Sequence, residues 1–288
     1  MTESSATAAL VRVRALAKIN LTLRVLGVRA DGYHEVRTIF QSIALHDTLT
    51  IRVVRGSLRL LCNDPSCPPD RTNLVWQAAE RLWTAAGRRG APRDLVIRLA
   101  TRIPIQAGLG GGSSDAAAAL RALERLWAVD RARVLDVAAT LGADVPYFFE
   151  GGTVLGVERG DLLFPLIDVP ARWVTLVIPR FGVSTKDAYS WFDHTVTASP
   201  ISRGASQNDL QAPVAAHHPE IASLVAALGR CGASQAAMCG SGSAVFGLFE
   251  RRSDAEKAAR VLTGSRQCPV LVTRTVNRAD YQRLAGNS

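Results

Sequence analysis

A glycine-rich segment carries the clearest chemical signal in the sequence. Residues 104–115 read Pro-Ile-Gln-Ala-Gly-Leu-Gly-Gly-Gly-Ser-Ser-Asp and join a strand-like segment to an alanine- and leucine-rich one. Glycine allows positive φ and close approach to a ligand, and the free N–H groups of a helix start attract anions. This pattern predicts phosphate binding by the loop residues Pro104, Ile105, Gln106, Ala107, Gly108, Leu109, Gly110, Gly111, Gly112, Ser113 and Ser114.

The loop matches neither of the common nucleotide motifs. The sequence contains no G-x-x-x-x-G-K-[ST] segment, and the loop is not G-x-G-x-x-G. A different nucleotide-binding fold is therefore required. The hydroxyls of Ser113 and Ser114 are candidate ligands of phosphate oxygens, and Ser114 is also a candidate Mg²⁺ contact. A mobile glycine-rich loop with a serine cap is the alternative, but so many glycines cost conformational entropy that a plain turn does not require.

Lys18, Asn20 and Asp144 are the candidate reactive side chains. Lys18 and Asn20 lie two residues apart in an alternating segment, so their side chains project from one face about 7 Å apart. Three of the 34 cationic residues are lysines, and a compact ammonium suits charge on a transferring phosphoryl group. Asp144 follows a predicted helix end and can act as a base toward a hydroxyl. An exposed strand lysine and a helix-capping aspartate are the alternatives.

Hydrophobic periodicity predicts the elements that hold these residues. Apolar residues alternate from Val11 to Val25 on odd numbers, which leaves Lys18 and Asn20 on the face away from the core. A turn at Asp31-Gly32 leads to the next strand. The expected strands lie at 36–53, 95–103, 153–155, 173–178, 244–249 and 270–276, and the expected helices at 73–86, 115–129, 131–141, 221–228 and 254–262. This order indicates an α+β protein with a boundary near residue 165.

Composition indicates a folded protein and excludes several classes. The chain has 288 residues, 48% of them hydrophobic, without a low-complexity tract. It also has no apolar run near the roughly 20 residues that cross a bilayer. The net charge of +9 is scattered and mostly arginine, so it does not indicate a nucleic-acid surface. The five cysteines fit no zinc or disulfide pattern, and with no leader at the start we expect a reduced, cytoplasmic protein.

Five segments together resemble the GHMP kinase superfamily, which includes galactokinase and the homoserine, mevalonate and phosphomevalonate kinases. The segments are Ala17-Lys18-Ile19-Asn20-Leu21, Arg29-Ala30-Asp31-Gly32-Tyr33-His34-Glu35, residues 107–117, Leu141-Gly142-Ala143-Asp144-Val145-Pro146 and Gly240-Ser241-Gly242. The resemblance runs from about residue 11 to 278. The third glycine of Gly110-Gly111-Gly112 and the Asp-Gly-Tyr-His element resemble the members that phosphorylate 4-diphosphocytidyl-2-C-methyl-D-erythritol, a cytidine diphosphate-linked methylerythritol of the non-mevalonate isoprenoid pathway.

The resemblance implies a fold and a reaction. The fold would be a two-domain α+β GHMP kinase fold, with a ribosomal-protein-S5-domain-2-like domain at 1–165, a ferredoxin-like domain at 166–288 and the active site in the cleft between them. The reaction would transfer a phosphoryl group from ATP, with Mg²⁺, to the 2-hydroxyl of that small-molecule substrate. We expect no nucleic-acid or membrane partner, and a monomer or weak homodimer.

The resemblance also assigns roles to individual residues. Lys18 and Asp144 would form the catalytic pair with Asp144 as the base, and Asn73 would lie near the adenine or simply cap a helix. The substrate-binding candidates are Asn20, Tyr33, His34, Thr185, Tyr189, Gly240, Ser241 and Gly242. Among these, Tyr33 would stack on the cytosine and His34 would hydrogen-bond it. Cys239 stands where the family often has serine or threonine, which suggests sensitivity to alkylation rather than a catalytic role.

Two alternatives stay open at this point. The first is another GHMP kinase, acting on homoserine or mevalonate, against which Tyr33 and His34 argue. The second is a nucleotide- or RNA-binding regulator that uses the same fold without chemistry. The regulator would tolerate the loss of Asp144 and would bind RNA with a steep salt dependence.

Overall fold

The first sheet comes from the N-terminal half of the chain. The computed structural model describes residues 10–198, 207–265 and 268–286, so the first nine residues, where no leader is expected, lie outside it. The strands of this sheet are β1 (Leu10–Val28), β2 (His34–Ser57), β3 (Arg59–Cys62), β4 (Arg93–Ala100), β5 (Thr153–Val157) and β6 (Leu162–Pro165). The sheet order is β3-β4-β2-β5-β6, with β1 antiparallel to β2. The predicted strands of this half are confirmed.

Helices cover one face of this sheet. They are α1 (Leu74–Ala85), α2 (Gly111–Trp127), α3 (Arg131–Leu141) and α4 (Tyr147–Glu150). Val75, Leu82 and Leu120 are among the fully buried side chains, because helical spacing turns one apolar stripe toward the strands. Helix α2 begins earlier than the predicted residue 115, since Gly110 at φ 73° turns the loop directly into the helix.

The second sheet and its helices form a ferredoxin-like unit. Its strands are β7 (Trp173–Val177), β8 (Gln235–Met238), β9 (Val245–Phe249) and β10 (Val270–Arg274), and its helices are α5 (Thr185–Ala198), α6 (Gln211–His217), α7 (Glu220–Arg230) and α8 (Arg252–Ser265). The sheet order is β10-β7-β9-β8, with every neighbouring pair antiparallel. Helices between β7 and β8 and between β9 and β10 complete the β-α-β-β-α-β order of that fold. The expected strands and helices of this half are therefore confirmed.

The chain returns to the first unit at its end. Helix α9 (Arg278–Leu284) carries Tyr281, which is fully buried in the core of the first unit. The Tyr281 hydroxyl donates to the Phe148 carbonyl at 2.7 Å. The predicted boundary near residue 165 falls at the end of β6, in the connection between the two sheets, and the division at that residue stays a prediction.

A shared apolar core joins the two units and holds the glycine loop. It contains Ile19 of β1, Ala107 and Leu109 of the loop, and Leu176 and Phe246 of the second sheet. The second unit therefore packs on the face of β1 that carries Ile19, opposite Lys18 and Asn20. Its glycine turn reaches those two residues, because a Cβ on Gly240 would lie 3.1 Å from Asn20 Oδ1 and 3.2 Å from Lys18 Nζ. The loop lies at the boundary of the two units, where it can form one wall of a cleft.

Lys18 and Asn20 are buried, although the alternating pattern places them on the polar face of β1. Their exposed fractions are 4% and 2%. The reading of Lys18 as an exposed strand lysine is wrong, because Gly110 of the loop and Gly240 of the second unit lie against its side chain. The β1–β2 register shifts between Leu16 and Lys18 and again between Asn20 and Thr22, so this part of the strand is irregular. No helix in the described ranges is long and apolar enough to cross a membrane.

Candidate active site

The glycine loop ends at the start of α2 and lines a cavity of ≈ 550 Å³, called here the donor cavity. Gly108 and Gly110 adopt left-handed conformations with φ of 78° and 73°. A helix start leaves its first N–H groups without intrahelical partners, and the first turn of α2 lines this cavity. The arrangement suits the negative oxygens of a polyphosphate.

Tight backbone contacts fix the loop against the second unit. A Cβ on Gly108 would lie 1.8 Å from the Cys239 carbonyl oxygen, and one on Gly242 would lie 2.0 Å from the Gly108 nitrogen. Ala244 N–H donates to the Ala107 carbonyl at 3.2 Å. Glycine is thus required on both sides of the contact. The turn at 239–242 supports the loop as well as lining the site.

The predicted nucleotide-binding residues gather around the donor cavity, with one exception. Its lining includes Asn73, Pro104, Ile105, Gln106, Ala107, Gly108, Leu109, Gly110, Gly111, Gly112 and Ser113. Ser114 is the exception, since it is fully buried and its hydroxyl donates to the Leu16 carbonyl at 2.7 Å. The prediction of Ser114 as a metal contact is therefore wrong. Its hydroxyl ties α2 to β1.

Asn73 caps α1 and shapes the donor cavity at the same time. Its side-chain oxygen accepts from Val75 N–H at 2.9 Å. Its amide nitrogen donates to the Pro68 carbonyl at 2.8 Å and to the Cys67 sulfur at 3.3 Å. The capping interpretation is confirmed. Both polar atoms of the Asn73 side chain already form hydrogen bonds within the protein. Asn73 therefore contributes to the wall of the donor cavity rather than to polar contacts with a ligand.

Two buried carboxyl groups support the loop from beneath, and sequence reasoning missed both. Asp47 accepts from Arg102 N–H and, at 2.8 Å, from Ile103 N–H, which holds the chain where it enters the loop. Asp115 lines the donor cavity, and its Oδ1 is buried without a partner among the described residues. Burial, with a smaller contribution from the nearby Asp47, raises the pKa of Asp115 well above its usual range.

Lys18 is held by a chain of hydrogen bonds along β1 and β2. Its ammonium donates to Asn20 Oδ1 at 2.9 Å, and Asn20 Nδ2 donates to Thr38 Oγ1 at 2.7 Å. Thr38 Oγ1 in turn donates to the Thr22 carbonyl at 2.7 Å. The shared face predicted for Lys18 and Asn20 is confirmed. Asn20 thus orients Lys18, and Thr38 is a supporting residue that the sequence did not reveal, because a threonine in a strand is common.

Asp144 completes the reactive centre from the other side. Its Oδ2 lies 3.2 Å from Lys18 Nζ, and a third of its side chain is exposed. The helix-cap interpretation is wrong, because Pro146 occupies the cap position of α4 and no side chain caps that helix. The carboxylate is therefore free of a structural hydrogen bond to the helix and faces the cavity. An ammonium and a reachable carboxylate form the pair needed to assist proton removal from a hydroxyl beside a phosphate.

A second cavity of ≈ 650 Å³, called here the acceptor cavity, meets the donor cavity at this centre. Residues that line both cavities are Lys18, Ser113, Asp144, Thr185 and Ser241. The Thr185 and Ser241 hydroxyls lie 2.9 Å apart and link α5 to the glycine turn. Of the predicted substrate residues, Asn20, Tyr33, His34, Tyr189 and Gly240 line the acceptor cavity, whereas Gly242 lines the donor cavity.

Aromatic rings form the far wall of the acceptor cavity. The rings of His34 and Tyr189 stack with centroids 4.5 Å apart, and His34 Nε2 lies 2.8 Å from Asp193 Oδ1. The Arg159 guanidinium lies 5.3 Å from the centre of the Tyr33 ring, which is 57% exposed. Sequence reasoning missed Arg159 and Asp193. The sequence signal that could have revealed Asp193 is its spacing, because it follows Tyr189 by four residues and so lies on the same face of a helix.

The cysteines are free thiols, as predicted. Cys239 is fully buried in the turn behind the loop, and burial raises the pKa of its thiol to about 12. A thiol that stays protonated and covered reacts slowly with alkylating reagents. The expected sensitivity of Cys239 to alkylation is therefore not supported by its surroundings.

The sequence and the fold both match known kinases. Residues 73–152 match the model of the GHMP kinases N terminal domain, and residues 197–266 match that of the GHMP kinases C terminal. Over 284 residues the chain is 42% identical to the 4-diphosphocytidyl-2-C-methyl-D-erythritol kinase of Pelotomaculum thermopropionicum, across 91% of this chain and 97% of the relative.

Solved structures agree with these matches. A crystal structure of 4-(cytidine 5'-diphospho)-2C-methyl-D-erythritol kinase has a TM-score of 0.74 and 33% identity, across 92% of this chain and 99% of that chain. The homoserine kinase of Cytophaga hutchinsonii, at 18% identity and a TM-score of 0.70 across 96% and 98% of the two chains, shares the fold alone. These relationships favour the cytidylyl-substrate kinases over the homoserine, mevalonate and non-catalytic alternatives.

The predicted two-domain GHMP kinase fold and the predicted class of enzyme, an ATP-dependent small-molecule kinase, are confirmed. The catalytic and binding roles assigned to individual residues stay predictions. The matched regions and the shared length together assign the chain: it belongs to the GHMP kinases, in the family of the 4-diphosphocytidyl-2-C-methyl-D-erythritol kinases.

Proposed function

We propose that the chain transfers the γ-phosphoryl group of ATP to the 2-hydroxyl of 4-diphosphocytidyl-2-C-methyl-D-erythritol, a step of the non-mevalonate isoprenoid pathway. The observation that carries the proposal is the meeting of two cavities at Lys18 and Asp144. One cavity has a glycine loop and a helix start suited to ATP phosphates. The other has aromatic rings suited to a pyrimidine. The family of the chain supports the same substrate.

In this proposal the residues divide the work of phosphoryl transfer. Asp144 accepts the proton of the 2-hydroxyl, and the Lys18 ammonium stabilises charge on the transferring phosphoryl oxygens. Asn20 holds the ammonium in place through the 2.9 Å hydrogen bond. The 2-hydroxyl is tertiary and crowded, so alignment of the two reactants contributes more than the basicity of the carboxylate.

The donor cavity also offers oxygen ligands for the Mg²⁺ that we expect with ATP. Within the described ranges, no cluster of three or more His, Cys, Asp or Glu side chains can hold a metal ion. This fits an ion held largely by phosphate and water oxygens, with one or two protein groups. Ser113 and Asp144 line the cavity with suitable oxygens. When bound there, the ion neutralises phosphate charge.

A substrate panel tests the proposed function. Purified protein is incubated with ATP and Mg²⁺ and one of three acceptors, the cytidylyl methylerythritol, homoserine or mevalonate, and ADP release is followed by a coupled assay. We expect turnover with the cytidylyl substrate alone. Turnover of homoserine or mevalonate with none of the cytidylyl substrate would overturn the proposal.

A further inference from the structure

An acidic side chain stands behind the histidine of the acceptor cavity. Asp193 and Tyr189 lie one turn apart on α5, so they face the same side of that helix. Tyr189 stacks on the His34 ring, and Asp193 Oδ1 contacts its Nε2 at 2.8 Å. His34 itself begins β2, so two residues of the second unit hold a side chain of the first. All three line the acceptor cavity.

The contact with Asp193 determines which nitrogen of His34 carries the proton. An ionised carboxylate only accepts hydrogen bonds, so Nε2 is the donor. In a neutral imidazole the other nitrogen, Nδ1, is then an acceptor. Within the described part of the chain Nδ1 has no hydrogen-bond partner, so its lone pair is available to a ligand.

We propose that Asp193 is a positioning residue that sets the base preference, by fixing Nδ1 of His34 as an acceptor for the 4-amino group of cytosine. Cytosine carries an amino donor at this position, whereas uracil carries a carbonyl acceptor. A uracil carbonyl would face the Nδ1 lone pair and leave both groups unpaired. The inference rests on the proposed function and adds to it the residue that distinguishes a cytidine from a uridine substrate.

Removal of the carboxylate tests the inference without requiring turnover. Binding of cytidine diphosphate and uridine diphosphate is measured by calorimetry at pH 8, above the ordinary titration range of histidine. We expect the wild type to favour the cytidine ligand by about tenfold or more, the effect of one buried hydrogen bond. In Asp193→Asn the amide can donate or accept, so the preference should shrink toward equality. Asp187→Asn, on the exposed side of the same helix, should keep the wild-type ratio.

Two further readouts separate a positioning role from a structural one. Nitrogen NMR of labelled histidine should find the proton on Nε2 of His34 in the wild type and a mixture of tautomers in Asp193→Asn. Asp193→Glu, which restores a carboxylate, should recover part of the base preference. Two results would overturn the inference. One is an equal loss of affinity for both ligands in Asp193→Asn with the His34 tautomer unchanged. The other is a wild type that binds both ligands with the same affinity.

The proposed function and the inference fail in different ways. A protein that prefers cytidine diphosphate, loses this preference in Asp193→Asn and releases no ADP with the cytidylyl substrate overturns the function and supports the inference. A protein that releases ADP but keeps its base preference in Asp193→Asn overturns the inference and supports the function.

Discussion

The donor and acceptor cavities meet at one reactive pair but are built from different chemical groups. The donor side is mostly backbone, because Gly108 and Gly110 lie in left-handed conformations and Gly108 rests directly on the Cys239 carbonyl. The acceptor side is mostly side chains, with the rings of His34 and Tyr189 stacked at 4.5 Å. A phosphate can be bound by backbone N–H groups, which every residue except proline carries, whereas a base needs particular rings and polar atoms.

This difference predicts where each side tolerates change. A backbone site is disturbed by an added Cβ wherever the backbone packs closely against another segment, and it is less sensitive to the chemistry of side chains. A side-chain site tolerates backbone changes nearby but loses binding when one ring or polar atom is removed. The comparison therefore predicts that a substitution on one side alters the binding of ATP or of the cytidylyl substrate but not both. Lys18 and Asp144, which line both cavities, are the exception.

The largest expected effect is at the shared pair. Asp144→Asn keeps the size of the side chain but removes the proposed base, so kcat should fall about 10³-fold. Binding of ATP, measured by calorimetry, should survive, because the loop and the start of α2 are unchanged. Asp136→Asn, which alters an exposed carboxylate on α3 that lines neither cavity, serves as the matched control. A near-normal rate in Asp144→Asn would show that the base lies elsewhere.

A methyl group on the loop tests the backbone character of the donor side. Gly108→Ala places a Cβ 1.8 Å from a backbone oxygen at a residue with φ of 78°. Overpacking and backbone strain should together lower the free energy of unfolding by about 3 kcal/mol and raise the KM for ATP. The measurements are chemical denaturation and initial rates.

Gly112→Ala is the matched control for this prediction. Its Cβ would meet nothing closer than Leu74 Cδ1 at 3.7 Å, and Gly112 already lies in α2. The free energy of unfolding should change by less than about 1 kcal/mol. Equal destabilisation by the two alanines would contradict the idea that the contact at Gly108 fixes the loop.

A change on the acceptor side should affect one substrate only. His34→Ala removes a ring that stacks on Tyr189 and a polar atom of the acceptor cavity, so the KM for the cytidylyl substrate should rise about tenfold. The KM for ATP should not change, and initial rates with each substrate varied in turn measure both. His194→Ala, an exposed neighbour on α5, is the control. An unchanged KM for the cytidylyl substrate would remove His34 from the pocket.

The same difference explains what the sequence could predict. Consecutive glycines before a helix are a local pattern, so the donor loop could be located from residues 104–113 alone. Ser114 was assigned wrongly because α2 begins at Gly111, and this start turns the Ser114 hydroxyl toward the Leu16 carbonyl at 2.7 Å instead of the cavity. An error of a few residues at a helix start changes which side chain faces a ligand.

The acceptor side could be predicted only through family resemblance. Its residues come from distant segments, and the contact between His34 and Asp193 spans 159 positions of the chain. Each residue type is common on surfaces and helices, so no local spacing marks it. Burial of Lys18 was likewise hidden, because Gly110 and Gly240, which lie against its side chain, are far along the sequence.

The smallest expected effect concerns the thiol behind the donor loop. Burial raises the pKa of Cys239 to about 12, so at pH 8 only about 10⁻⁴ of the thiol is the reactive thiolate. Iodoacetamide should leave Cys239 unmodified and the rate unchanged, while the half-buried Cys231 at the end of α7 reacts. Peptide mass spectrometry after labelling measures the modification of both cysteines, and the ADP-release assay measures the rate. Rapid labelling of Cys239 with loss of ATP binding would show that the glycine turn opens, and the donor side would then be less rigid than its close backbone contacts imply.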